Sequence, residues 1–249
     1  MNGIVAAPEF RNEDVSIVTN GNERSHPLAM ALASAFKDGI QLQSNLPEWI
    51  LQMEGMSGRR YRCLINQLMA TVEDARYLEI GSWAGSTACA AMFGNRAKVT
   101  CIDNWSQFDG PKDQFFANTA RAQSKAIDFT FIESDFRQVD YSSLGKFNIY
   151  LFDGPHSYLD QLEGIAIAQP ALDLCYIQIV DDWNWPDVRH GTSAALASWC
   201  GAHYEVLYSI EIRTTQNDTH PVLSHQNSDW HNGYFLAVVK RIVHKGAES

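Results

Sequence analysis

The chain has 249 residues, is 45% hydrophobic and carries a formal net charge of −10 at pH 7. That length and apolar content can bury a full core in one large domain or two small ones. The acidic balance argues against a nucleic-acid backbone as the main partner, and no apolar stretch is long enough to span a bilayer.

The opening MNGIVAAPEFRNEDVS lacks the basic and apolar regions of a signal peptide. Cys63, Cys89, Cys101, Cys175 and Cys200 show no metal spacing and fall mostly in predicted core elements. They read as reduced thiols of a cytoplasmic protein. Residues 1–24 are polar and weakly patterned, the pattern of a flexible arm. Ser25 is a candidate N-cap, with Pro27 in the first turn behind it. The helix then runs through Leu28, Met30, Leu32 and Phe36 to about Gly39, and His26 beside the cap reads as a solvated residue. Leu46-Pro47-Glu48-Trp49 breaks the pattern and opens a short apolar segment. Gly55 and Gly58 suggest a tight loop, and a helix is predicted from Arg60 to Val72. Arg59, Arg60 and Arg62 grip a carboxylate or form a solvated helix face, and the solvated face is the preferred reading. Residues 1–70 are expected to be an arm and helical cap or an oligomer element, with the main domain over 71–249.

The most informative stretch is 77–103, YLEIGSWAGSTACAAMFGNRAKVTCID. Tyr77-Leu78-Glu79-Ile80 reads as a buried parallel strand that runs into Gly81 and Gly85. Ser86 to Phe93 reads as a helix whose small side chains let it lie close to a sheet, and Gly94-Asn95 closes it. Lys98 to Ile102 is a second strand with Asp103 at its carboxyl end. In open α/β sheets, ligands bind outside such ends, where backbone N–H groups and a helix N-terminus converge. The spacing is not the dinucleotide fingerprint, because Trp83 stands where a pyrophosphate would need glycine. Glu79 suits a cationic or hydroxyl-bearing ligand. Asp103, 22 residues after Gly81, is placed to accept ribose hydroxyls.

Beyond Asp103, Asn104 to Phe108 is a loop in which Trp105 stacks on a ligand ring or packs beneath the loop. Residues 111–127 are a predicted polar helix and 128–133 a third strand ending at Ser134-Asp135-Phe136. Phe147 to Phe152 is a fourth strand followed by Asp153-Gly154-Pro155-His156, and a helix is predicted from Tyr158 to about Ala168. Cys175 to Val180 is a fifth strand ending in Asp181-Asp182-Trp183. If the fourth and fifth strands are neighbours, Asp153, Asp181 and Asp182 converge. Three carboxylates in one cleft call for a cation, shared protons or separation by water. Oxygen ligands suit Mg²⁺ or another hard divalent ion. His156 is placed to accept a hydroxyl proton. The plainer reading has Asp181-Asp182 capping a helix and His156 starting one. Residues 184–191 are a predicted loop leading into a helix from Thr192 to Cys200. Trp183, Trp185 and His190 line an acceptor pocket or pack, and Arg189 pairs with an acid. Residues 204–212 and 234–242 are the sixth and seventh strands. The polar stretch 213–232, with His220, His225 and His231, is a lid or a surface hairpin loop.

Glu79-x-Gly81-x-x-x-Gly85-x-Thr87, with Asp103 beyond it, resembles the first motif and ribose-binding acid of class I S-adenosylmethionine-dependent methyltransferases. The resemblance covers about residues 55–242. It implies an α/β, Rossmann-like fold with a seven-stranded, mostly parallel sheet, helices on both faces and an N-terminal helical extension. It implies S-adenosylmethionine as cofactor, held by the turn residues Glu79, Gly81, Ser82, Gly85, Ser86 and Thr87. Further contacts are implied for Asp103, Asn104 and Trp105, for Asp135 and Phe136 near the adenine, and for Asp153. Asp135 can equally cap the turn after it. Asp-Gly-x-His followed by an acidic pair is similar to the metal-dependent sugar O-methyltransferases of macrolide biosynthesis. That likeness implies Asp153, Asp181 and Asp182 as metal ligands, with His156 and Asp153 catalytic. It implies an O-methyltransferase acting on a small-molecule hydroxyl, with no nucleic-acid or membrane partner. The alternatives are a hydroxylase on the same scaffold and a non-catalytic cofactor-binding subunit.

Overall fold

The computed structural model describes residues 15–197 and 203–242. Most of the arm expected over residues 1–24, the end of the helix predicted to reach Cys200, and Cys200 itself lie outside the described residues. Among the described residues, eight strands form one sheet: β1 Ser16–Gly21, β2 Arg76–Ile80, β3 Ala97–Asp103, β4 Ile127–Glu133, β5 Phe147–Phe152, β6 Leu172–Val180, β7 His203–Arg213 and β8 Tyr234–Ile242. Their order is β1-β7-β8-β6-β5-β2-β3-β4. The run from β4 to β6 is parallel, and β8, β7 and β1 continue it antiparallel. The chain moves from β2 to one side through β3 and β4, then returns to β2's other side at β5. That reversal opens a crevice at the carboxyl ends of β2 and β5, where such sheets bind ligands.

Alternation along the strands divides the core in two. Tyr77, Val99, Cys101, Ile149, Leu151, Ile177 and Ile179 face α1 Pro27–Ile40, α3 Arg59–Thr71, α4 Ser86–Met92 and α5 Lys112–Ala122. Leu78, Ile80, Ile102, Tyr150, Phe152 and Val180 face α6 Tyr158–Ile167 and α7 Pro186–Ala197. A short helix, α2 Glu48–Leu51, follows the predicted break at Pro47. The expected two-faced α/β architecture is therefore present, with one strand more than the seven expected. The extra strand is β1, which lies in the segment read as a flexible arm. It is an edge strand whose side chains are mostly exposed, so no apolar alternation announced it. Its backbone pairing with β7, from Ser16 opposite Arg213 to Gly21 opposite Tyr208, holds it instead.

Other boundaries differ for local reasons. His26, not Ser25, caps α1: the Leu28 N–H donates to His26 Nδ1 at 3.2 Å, while the Ser25 hydroxyl donates to the Asn22 carbonyl. Helix α5 stops at Ala122, and a turn from Ser124 to Ile127 feeds β4. Helix α7 begins at Pro186, within the segment predicted as loop. Proline is well suited to the first helical turn, and Asp187 favours the helix dipole there.

The arginine cluster is neither solvated nor free to grip a ligand. Arg62 is fully buried. It donates to the Ser57 hydroxyl and to the carbonyls of Ile50, Met53 and Gly55. Burial lowers its pKa to about 10, which leaves it cationic at neutral pH. Arg59 and Arg60 pair with Asp229. Loop 52–58 is thus built around one buried guanidinium. Replacing Arg62 with Met should strand the buried carbonyls of Ile50 and Gly55 and the part-buried one of Met53, and lower stability by about 3–5 kcal/mol. Urea unfolding with an unchanged midpoint would show that the loop does not depend on it.

Candidate active site

The glycine turn after β2 is dictated by close approach. Gly81 has φ +83°, and a Cβ there would lie 1.8 Å from the carbonyl oxygen of Asp153. The ends of β2 and β5 therefore meet without an intervening side chain. Gly85 caps α4 in the left-handed region at φ +83°, with the Phe115 ring 2.9 Å from where a Cβ would sit. Asp103 pins the turn from the neighbouring strand. Its Oδ2 accepts from the N–H groups of Ser82 and Trp83 at 2.8 and 2.9 Å, and its Oδ1 accepts from Trp105 N–H at 2.8 Å. Trp83 adopts φ +44° within this turn.

A cleft of about 350 Å³ opens above these strand ends, within the range of small-molecule sites. Gly81, Ser82, Ser86 and Thr87 line it from the turn, and Asp103, Asn104 and Trp105 from the end of β3. Asp135 and Phe136 line it after β4, Asp153 and His156 after β5, and Asp181 and Asp182 after β6. Glu79 and Gly85, also expected at the cofactor, do not line it. Glu79 is fully buried below the turn and accepts from the Tyr77 hydroxyl at 2.6 Å. The two alternatives at Trp105 are compatible, since its ring packs on Phe115 and Phe131 and still borders the cleft. Asp135 likewise accepts from Arg137 N–H at 2.9 Å as a cap while lining the cleft.

At the other end of the cleft, Asp153, His156 and Asp182 each offer one ligand atom, all within 4.8 Å of one another. His156 Nε2 lies 2.6 Å from Asp182 Oδ2, and Asn232 Nδ2 donates to Asp182 Oδ1 at 2.6 Å. Asp181 lies outside this trio. Its Oδ1 accepts from the Asp182 N–H at 2.7 Å, and its side chain shares a hydrogen bond with Asp153. Burial, then the charge of Asp182, pushes the Asp153 carboxyl well above the usual range. Burial also raises Asp181, reinforced by Asp153. At Asp182, burial is outweighed by His156, His231 and Asn232, and the pKa is lowered. His156 is raised, because Asp182 outweighs the opposing effect of burial.

Trp185 stands 5.3 Å from the His156 ring and 5.2 Å from that of His220. The two other residues expected at an acceptor pocket are elsewhere. Trp183 turns away, stacked on Phe235 with its indole N–H on Glu211, and His190 is exposed outside the cleft. Arg189 pairs with Asp218, as expected of a structural arginine.

Segment 213–232 is not a plain surface loop. His220, Ser224, His225, His231 and Asn232 form part of the cleft wall, facing Met56 from loop 52–58. Burial lowers the pKa of His231 to about 4, so it is neutral. Its Nδ1 accepts from His225 N–H. Sequence reading missed Asn232 and Met56. No spacing relates Asp182 to a residue fifty positions later. The antiparallel pairing of Val180 with Phe235 is what brings them together.

Residues 78–183 match the model of a methyltransferase domain family. Among solved structures, the chain is similar to a protein from Corynebacterium glutamicum, at 19% identity, 87% coverage of this chain, 92% of that chain and TM-score 0.51. It is also similar to an O-methyltransferase from Bacillus cereus in complex with SAH, at 16% identity, 85% and 91% coverage and TM-score 0.50. The chain spans about half (48%) of the length of another match, TrmN from Thermus thermophilus, at 12% identity, 74% coverage of this chain and TM-score 0.47. No curated protein sequence matches it. The chain has the Rossmann-like α/β fold of class I S-adenosylmethionine-dependent methyltransferases, and its central residues 78–183 match a methyltransferase domain model. Among the described residues, no helix is long and apolar enough to cross a membrane.

The buried acid below the turn carries a pH signature. Burial raises the Glu79 pKa from 4.5 to about 7, against the lowering effect of its hydrogen bonds. The folded chain then holds a proton that the unfolded chain releases between those values. Stability from this residue is full below about pH 4.5 and falls as pH rises to 7, by on the order of 3 kcal/mol. Glu79→Gln should flatten that part of the stability–pH curve. Parallel curves for both proteins from pH 4.5 to 8, measured by urea unfolding, would contradict it.

Proposed function

We propose that the chain transfers the methyl group of S-adenosylmethionine to a hydroxyl of a small sugar or polyhydroxylated molecule, assisted by a divalent cation. The observation that carries this reading is the meeting of two ends in one cleft. One end has the glycine turn with Asp103, and the other has Asp153, His156 and Asp182.

The donor set of the cleft fits the cofactor. Asp103 Oδ1 accepts a single backbone bond and keeps capacity for a ribose hydroxyl. Asp135, Phe136 and Ile102 offer a polar and apolar wall for a purine, and the carboxylates suit a positive sulfonium. When bound, S-adenosylmethionine supplies an electrophilic methyl group. The chain's own work is to orient the acceptor and remove one proton. Trp185 and His220 wall the acceptor side. The carboxylates of Asp153 and Asp182 fit a divalent ion, whose contribution there would be to acidify the acceptor hydroxyl.

The 2.6 Å contact of His156 with Asp182 favours a second reading without metal. In it, Asp182 orients the imidazole and His156 takes the hydroxyl proton through its other nitrogen.

Calorimetry of S-adenosylmethionine binding, then turnover on a panel of polyols and sugars, tests these readings. Binding should persist in excess chelator, while turnover should be lost and return with added metal. Turnover that survives chelator but drops 10²–10⁴-fold in His156→Ala, with a flattened pH–rate profile, would select the metal-free reading. Absence of cofactor binding under both conditions would overturn both.

A further inference from the structure

The resemblance to the metal-dependent enzymes implies an oxygen-only site of Asp153, Asp181 and Asp182, with His156 as base. The side chains are arranged differently. Asp181 is committed to the protein: one oxygen takes the Asp182 N–H at 2.7 Å, and the carboxyl shares a hydrogen bond with Asp153. In the core, the rings of Tyr61 and Tyr234 are fully buried and stacked 3.6 Å apart, and burial, then the charge of Asp181, pushes both hydroxyls well above the usual range. Among the described residues, the Tyr61 hydroxyl has no hydrogen-bond partner. The three side chains that do converge are Asp153, His156 and Asp182. They come from two strand ends and the loop after one of them. An ion bound there would open the 2.6 Å contact of His156 Nε2 with Asp182 Oδ2, since atoms bonded to one ion at about 2.1 Å stand about 3–4 Å apart. Asn232 holds the remaining oxygen of Asp182 from outside the trio at 2.6 Å, as an outer partner of a metal ligand does.

We infer that the cation in this cleft is held by Asp153, Asp182 and His156, with Asp181 positioning the two carboxylates from below, and that the site prefers Mn²⁺ or Co²⁺ to Mg²⁺. The inference rests on the cation-assisted reading above. A ligand set of one imidazole and two carboxylates departs from the all-oxygen environment that Mg²⁺ favours, and it suits first-row ions that accept nitrogen. Asp181→Asn keeps the size of the buried side chain and should keep the ion, at a cost of up to about 100-fold in affinity, as expected for an outer partner.

The test is Mn²⁺ binding to the full chain, followed by paramagnetic resonance without cofactor or acceptor. The wild-type protein should bind Mn²⁺ against a tenfold excess of Mg²⁺ and show nitrogen coupling to the bound ion in pulsed spectra. The coupling should persist in Asp181→Asn and vanish in His156→Gln, with binding at least tenfold weaker. Three results would overturn the ligand set: no nitrogen coupling in the wild-type protein, loss of binding in Asp181→Asn with none in His156→Gln, or no Mn²⁺ uptake at all. Methyl transfer plays no part in these readouts. A wild-type protein that binds S-adenosylmethionine and methylates an acceptor without taking up Mn²⁺ would leave O-methylation standing and remove this inference.

Discussion

A side chain at position 81 would lie 1.8 Å from the Asp153 carbonyl, and much of the cleft depends on that space staying empty. With no Cβ there, the ends of β2 and β5 come together, and the Asp153 N–H donates to the Ile80 carbonyl at 2.9 Å. The glycine turn and the first acid of the cleft's other end thereby become neighbours. Gly81 is thus required by the approach of two strands as much as by any ligand. Gly85 is likewise required by its left-handed backbone and by the ring of Phe115. In this chain the glycine motif is a packing device that leaves a ligand-sized opening.

Asp103 extends the same constraint to the next strand. Three backbone N–H groups converge on its carboxylate, two from the turn and one from the loop after β3. Hydrogen bonds to a carboxylate are stronger than neutral ones, so this single side chain ties two loops of the cleft to each other. Any ribose it holds binds to a group already oriented by the protein, which is the arrangement a precise site needs.

The opposite wall comes from distant parts of the chain. The Arg59 N–H donates to the Ser228 carbonyl, and Arg60 pairs with Asp229, so the start of α3 is fastened to the β7–β8 connection. The Ser57 and Ser86 hydroxyls lie 2.8 Å apart, which fastens the arginine-built loop to the first turn of α4. Through these contacts Met56, His225 and Asn232 share one cleft with the glycine turn. The helical element before β2 is therefore part of the site's wall.

The parallel strands, the glycine turn and the acids at the strand ends were legible in the sequence, because each rests on local chemistry. Buried strands are apolar runs, tight turns need glycine, and an acid at a strand end stands out against its apolar neighbours. Strand β1 was not legible, because an exposed edge strand is held by backbone pairing and needs no apolar pattern. Arg62 was misread because charge alone does not reveal burial. Only the loop it organises, with carbonyls turned inward, makes a buried cation tolerable. The division of labour among Asp153, His156, Asp181 and Asp182 could not be read from their spacing either. Residue order placed all four at one end of the sheet. Which partner each carboxylate takes was decided by the Asp182 N–H, which binds Asp181, and by Asn232, which reaches Asp182 through the β6–β8 pairing. By itself the sequence determined the class of fold and the end of the sheet where chemistry can occur, because both follow from local patterns. The tertiary structure alone decided which side chains meet there, because those contacts join residues that no local pattern relates.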